Sequence, residues 1–162
     1  MSHLYLRYNI LRALREYLHQ QGFIEVETPL LVQGTCPDRA LESFQVFHQG
    51  QFQGYLVTST EYQLKKLAAR GIEKAYTLTR NFRPGDCSER HAPEFTMLEW
   101  YQPGYSLAQL IEETTALVAH VMPNAPGPVV HYRYRELFHT HLEVDPFTTS
   151  LDTRSEEHTS EL

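Results

Sequence analysis

Two β-rich runs, Lys74 to Arg83 and Glu94 to Tyr101, flank a polar loop of ten residues, Pro84 to Pro93. This arrangement limits the fold more than any other part of the chain. Strands joined by so short a connection pair antiparallel, because a parallel pair needs a crossover of about a dozen residues or more. A tight hairpin needs only about two loop residues. A loop this long, carrying Asp86, Glu89, Arg90 and His91, serves recognition or is simply a solvated surface, and the sequence leaves both open.

The remaining elements follow from periodicity and punctuation. Leu4 to Gln21 reads as a helix, with Ile10, Leu11, Leu14, Tyr17 and Leu18 at helical spacing and Gly22 suited to the position after it. Phe23 to Thr28 reads as a strand that Pro29 ends or places at a sheet edge. Ser43 to His48 and Tyr55 to Thr58 are β-rich, with Gln49 to Gly54 between them as a turn or loop. The hydroxyls of Thr58, Ser59 and Thr60 offer caps for a helix from Glu61 to Arg70, stopped by Gly71. Ser106 and Gln109 form a capping box for a helix whose apolar stripe is Leu107, Leu110, Ile111, Leu117, Val118 and Val121. Pro123 to Pro128 is a stiff connector rather than a domain boundary, and a shorter helix runs from Tyr132 to Leu142. At 162 residues and 41% hydrophobic, the chain has room for one compact domain. The order predicts an α+β fold, an antiparallel sheet flanked by helices.

Composition narrows the function classes. A formal charge of −6 argues against a non-specific polyanion binder. No apolar run approaches a membrane span, and no signal peptide precedes the first amphipathic stretch. Cys36 and Cys87 lack zinc-ligand or disulfide-framework spacing, which suits a reducing, cytoplasmic setting. There is no Walker loop, nucleophile elbow or dinucleotide fingerprint. His139 and His141 resemble a metal pair without a third ligand, so no metal site is assigned.

The chemistry concentrates in the hairpin. Glu99 lies within Met97-Leu98-Glu99-Trp100-Tyr101, and a carboxylate with such flanks needs a cationic partner if it is buried. Arg80 or Arg83 across the ladder is the simpler solution; a ligand ammonium is the functional one. The planar fork of Arg83, at the base of the loop, suits a phosphate. Ser59-Thr60-Glu61 is most simply a helix cap with a first-turn acid.

Together these segments resemble the catalytic core of class II aminoacyl-tRNA synthetases, in particular the lysyl-tRNA synthetase group. Phe82-Arg83-Pro84-Gly85-Asp86 through His91-Ala92-Pro93-Glu94-Phe95-Thr96-Met97-Leu98-Glu99-Trp100-Tyr101 is similar to the second signature motif, two antiparallel strands and a loop over ATP. Phe23 to Pro29, after the first helix, resembles the first motif, and Thr58-Ser59-Thr60-Glu61-Tyr62 resembles the substrate loop. The wording from Pro93 to Tyr101 looks most like the short paralogues of the group, the elongation factor P–lysine ligases. These lack an anticodon-binding barrel, and Met1 stands only a few residues before the first helix.

The resemblance implies ATP as a substrate, with Mg2+. It implies that Arg83 holds the α-phosphate and stabilises charge during adenylate formation. Phe95 would stack on adenine, with Asp86 and His91 lining the nucleotide loop. Ser59, Thr60, Glu61, Glu99 and Tyr101 would surround lysine or β-lysine. The acceptor would be a lysine of elongation factor P, with tRNA as the alternative; a non-catalytic amino-acid- or ATP-binding paralogue is the other. A homodimer through the first-motif helix and strand is also implied.

The chain departs from the family pattern in several places. Gly85 and then Asp86 follow where an acid is usual two places after the motif arginine, and Ala92 stands for a usual asparagine. The third motif, with its second phosphate-binding arginine, is absent. Residues 154–162 resemble an in-frame translation of a sequencing adapter. The expected organisation is thus a partial catalytic domain over 1–153 and a non-native tail over 154–162, with the 162-residue chain inactive on its own.

Overall fold

The computed structural model describes residues 2–35, 37–38, 41–85, 91–122 and 129–150. The chain divides into two compact units, residues 1–124 and 125–162. The connector from Pro123 to Pro128, where the division falls, lies outside the described residues.

The first unit begins with α1 (Ser2–Gln20). Gly22, at φ +82°, ends it: its N–H donates to the His19 carbonyl at 3.0 Å, and the Phe23 N–H donates to the Leu18 carbonyl at 2.9 Å. This pair of bonds is a Schellman cap, and it places Phe23 on Leu18. Both join Tyr76 in the buried core, with Tyr17, Leu78, Leu98 and Trp100 packed around it. Burial of a side chain such as Leu18 stabilises the fold by about 1.5–3 kcal/mol.

Strand β1 (Ile24–Glu25) is shorter than the predicted run from Phe23 to Thr28 and pairs parallel with β5 (Ala75–Phe82). One more bond, from the Val26 N–H to the Tyr76 carbonyl at 2.9 Å, extends the contact. Pro29, which has no N–H, lies beyond it. β5 pairs antiparallel with β6 (Glu94–Tyr101) along its whole length, from Ala75 opposite Tyr101 to Phe82 opposite Glu94. The hairpin thus forms as expected, within a three-stranded sheet of order β1-β5-β6.

A second, antiparallel sheet has the order β2-β4-β3, from β2 (Leu31–Val32), β3 (Gln45–His48) and β4 (Gln51–Leu56). Most of the expected loop from Gln49 to Gly54 is therefore strand. The turn is only Gln49-Gly50, with φ of +49° and +76°, as the tightest hairpin connection requires. A bulge between Val46 and Phe47 lies beside Gly54. A Cβ on Gly54 would lie 2.6 Å from the Val32 carbonyl oxygen, so only glycine lets β2 and β4 approach this closely.

Helix α2 (Glu61–Ala68) buries Leu64 and packs against β5 and β6. Helix α3 (Leu107–Val121) begins with the predicted Ser106–Gln109 capping box. Of its predicted apolar stripe, Leu117 is buried, while Leu107, Leu110, Ile111 and Val118 are exposed. The helix is anchored instead through Glu113, which accepts from Trp100 Nε1 at 3.0 Å and from the Tyr17 hydroxyl at 3.4 Å.

In the second unit, α4 (Tyr134–Leu142) starts two residues later than expected, and Tyr134 packs its ring on Phe138 and Phe147. Arg135 pairs with Asp145, which also accepts from the Phe147 N–H at 3.0 Å.

Candidate active site

Strand alternation sorts the hairpin into two faces. Tyr76, Leu78, Leu98 and Trp100 turn to the core beside α1. The alternate positions Thr77, Asn81, Phe95, Glu99 and Tyr101 share the other face by register. On that side α2 and the loop 57–60 pack, since the Val57 carbonyl accepts from the Phe82 N–H at 2.9 Å and α2 contacts both strands.

Glu99 is half-buried, and its carboxylate is gripped by the loop. Ser59 Oγ donates to Oε1 at 2.6 Å; the Thr60 N–H and Thr60 Oγ each donate to Oε2 at 2.6 Å. The expected arginine partner is not there. Arg80 pairs with Glu94 at 3.4 Å on the opposite face, and Arg83 turns to Thr58 and Phe95. Neutral donors replace the arginine because the loop, rather than the neighbouring strand, covers Glu99. A carboxylate offers about four acceptor positions, so three donors leave one, on Oε1.

Ser59-Thr60-Glu61 does open α2, with Glu61 as its first-turn acid. Thr60 is the N-cap residue of α2, but its side chain makes no cap bond. Ser59 Oγ accepts from the Glu61 N–H at 3.1 Å. The hydroxyl of Thr60, a fully buried residue, is committed to Glu99. It meets Thr77 Oγ at 2.6 Å on its other side. Thr77 is the residue that sequence reasoning missed; its place directly opposite Glu99 in the hairpin was the available signal.

Glu61 and Tyr101 complete the acidic end. The Tyr101 hydroxyl is held above its ordinary range, first by burial and then by the adjacent Glu61 carboxylate. Glu61 also pairs with Lys65 one turn along α2, which raises the lysine. A cleft of about 640 Å³ opens beside this loop, with Thr58, Ser59 and Glu61 on one wall and Pro29, Leu31 and Gln33 on another. Arg83, Phe95, Glu99 and Tyr101 are not among the residues that line it.

At the other end, Arg83 Nε donates to the Thr58 carbonyl at 3.3 Å, and its guanidinium lies 5.3 Å from the centre of the Phe95 ring. Its own N–H donates to the Pro93 carbonyl at 2.9 Å, which closes the base of the hairpin loop. None of the ion pairs among the described residues includes Arg83. His91 lies exposed at the start of the returning strand, and Asp86 lies outside the described residues. No group of three or more His, Cys, Asp or Glu suited to a metal occurs among the described residues, His139 and His141 included. No helix among them is long and apolar enough to cross a membrane.

The hairpin carries an arginine and an aromatic ring at its loop end and a carboxylate, Glu99, deeper along the same face. The chain belongs to the class II tRNA synthetases: the family model described as tRNA synthetases class II (D, K and N) matches residues 1–155. Among curated proteins it is similar to the elongation factor P–(R)-β-lysine ligase of Erwinia tasmaniensis, 38% identical over 91% of this chain and 46% of that protein. The ligase of the same name from Enterobacter sp. is 38% identical over 86% of this chain and 44% of its own length. The chain thus spans about half the length of these relatives. A crystal structure of asparaginyl-tRNA synthetase from Pyrococcus horikoshii complexed with asparaginyl-adenylate matches 74% of this chain and 27% of that one, at a TM-score of 0.65 and 28% identity.

Proposed function

We propose that this protein is an ATP-dependent ligase that activates lysine or β-lysine as the aminoacyl-adenylate and transfers it to a lysine of elongation factor P. The observation that carries the reading is Glu99. It is a half-buried carboxylate held by three neutral donors, with no cation of the protein against it among the described residues. Fixed negative charge of this kind, with Glu61 close by, is a counter-charge for an ammonium group. The names of the curated relatives supply the substrate and acceptor of the proposal.

In this reading the amino-acid carboxylate attacks the α-phosphorus of ATP, the P–O bond to pyrophosphate breaks, and pyrophosphate leaves with the electron pair. Arg83 stabilises the charge that develops on the α-phosphoryl oxygens, and Phe95 carries the adenine on its ring. Asp86 and His91 belong to the nucleotide loop. The ε-amine of the acceptor lysine then attacks the acyl carbon, the C–O bond to AMP breaks, and the amine releases a proton. Ser59 and Thr60 hold Glu99, while Glu61 and Tyr101 complete the amine pocket. Mg2+, where it accompanies ATP, would be held mainly through the nucleotide phosphates and would neutralise part of their charge.

Residues 1–153 are read as part of one catalytic domain and 154–162 as a tail foreign to it. Leu4, Tyr5, Leu6 and Tyr8 on the first turns of α1, and Ile24 on β1, are exposed apolar groups, suited to a twofold interface in a homodimer.

The test is transfer. The protein as its gene encodes it is incubated with ATP, labelled β-lysine or lysine, and either elongation factor P or tRNA. Label on elongation factor P supports the reading. Label on tRNA alone, or on neither, removes it.

A further inference from the structure

We infer that Thr77 is a positioning residue: it holds the Thr60 hydroxyl on Glu99 and thereby sets the orientation of the carboxylate for the substrate amine. The inference rests on the amine-binding role proposed for Glu99. Thr77 and Thr60 are 1% and 0% exposed, so neither hydroxyl reaches a ligand, and any effect they have passes through Glu99.

The direction of the relay follows from counting protons. A carboxylate only accepts, so the single hydroxyl proton of Thr60 is spent on Glu99 Oε2, at 2.6 Å. The Thr60 oxygen must then accept at its contact with Thr77 Oγ, also 2.6 Å, and Thr77 is the donor. The order is Thr77 to Thr60 to Glu99. It runs straight across the β5–β6 ladder, where Thr77 and Glu99 stand opposite one another.

Thr60 has a competing use for its oxygen. It is the N-cap residue of α2, where a threonine oxygen ordinarily accepts from a backbone N–H two or three residues on. Here it makes no such bond. Its backbone, at φ −89° and ψ 7°, is not the extended one of a capping residue, and Ser59 Oγ takes the Glu61 N–H in its place. Without the Thr77 hydroxyl the Thr60 side chain is free to rotate off Glu99. The loop thus spends the Thr60 hydroxyl on a carboxylate, and a threonine on the neighbouring strand holds it there.

This makes an unusual joint expectation. Thr77→Val keeps the shape and removes the donor, so the Thr60 hydroxyl is no longer held on Glu99. In the 162-residue chain, amide exchange at Thr60, whose N–H shares Glu99 Oε2, becomes faster. In the protein as its gene encodes it, the KM for lysine in ATP–pyrophosphate exchange rises about tenfold, while kcat and the KM for ATP stay within about twofold. Thr77→Ser restores the original values, and Thr77→Val has no further effect on the KM for lysine in a Glu99→Gln background. Unchanged exchange at the Thr60 amide together with an unchanged KM overturns the inference, as does a loss that Thr77→Ser fails to rescue. If the unaltered protein shows no lysine-dependent exchange, the proposed function fails, and the amide measurement still decides the relay.

Discussion

Arg83 and Glu99 are fastened to adjacent residues of one loop. Arg83 Nε donates to the carbonyl of Thr58, and Glu99 Oε1 accepts from the hydroxyl of Ser59. Thr58 is buried, and its carbonyl is an acceptor that any sequence would supply. The ends that the proposed function gives to phosphate and to amine are therefore spaced by a single peptide unit, which fixes their separation more firmly than a direct contact between two long side chains would.

Removing the Glu99 carboxylate strands three donors at once, one of them the hydroxyl of a fully buried threonine. An unsatisfied buried donor costs about 1–3 kcal/mol. Glu99→Ala should lower the stability of the chain by at least that much in urea denaturation, whereas Glu99→Gln, which keeps one acceptor oxygen, should lower it by less. Equal midpoints for Glu99→Ala and the unaltered chain would show that the loop does not depend on this contact.

Arg83→Ala should separate chemistry from amino-acid binding. The rate of adenylate formation is expected to fall by at least about a hundredfold, the range found when a donor to developing charge is removed. Lysine affinity, set at the Glu99 end, should stay within about threefold. Single-turnover adenylation alongside equilibrium lysine binding makes the comparison; equal losses in both would take Arg83 out of its assigned role.

Lys65 pairs with Glu61 one turn along α2. Both side chains are about half exposed, and pairs of this kind contribute only about 0.2–1 kcal/mol. Lys65→Gln should therefore tighten lysine binding slightly, by no more than about fivefold, and titration calorimetry reads this directly. Weaker binding would mean that Lys65 assists the ligand rather than competing with it.

The junction of α1, β1 and β5 carries the acid sensitivity. Burial pushes the Glu25 carboxyl upward, but hydrogen bonds from Arg15, at 3.0–3.1 Å, and from the Tyr76 hydroxyl, at 2.9 Å, together outweigh it and hold it below the usual 4.5. Its folded-state value is depressed, so the stability it contributes is fully present above the unfolded value and is lost as pH falls through the folded one. Burial first, and then the hydrogen bond to the Glu25 carboxylate, raise the Tyr76 hydroxyl well above its ordinary range, so it remains the donor throughout. The stability difference between the unaltered chain and Glu25→Gln should shrink as pH drops below about 4.5. A difference that is constant from pH 7 to pH 3 would contradict this.

Local features were legible in the sequence where a single chemical rule decides them. Gly22 ended α1, the Ser106–Gln109 box began α3, and the two long strands formed their hairpin. Family resemblance singled out Ser59, Thr60, Glu61, Glu99 and Tyr101, and these residues do lie together. What failed depended on partners distant in the chain. The partner of Glu99 was sought along the strand because loop 57–60 has no pattern that announces its return across the hairpin. Thr60 is the N-cap residue that the run suggested, but nothing local shows that Thr77 and Glu99 claim its hydroxyl. β4 was cut short because Gln51, Phe52 and Gln53 alternate weakly, and the strand is fixed by pairing with β3 on one side and β2 on the other.

The most direct test of the paired ends of this site is amino-acid-dependent ATP–pyrophosphate exchange by the protein as its gene encodes it, with β-lysine, lysine and norleucine compared. Norleucine keeps the length of the lysine side chain and loses its terminal ammonium, so it has nothing to set against Glu99 and Glu61. Exchange with β-lysine or lysine and none with norleucine is the predicted result. Exchange that is as fast with norleucine, or that is absent with both lysines, would contradict the account.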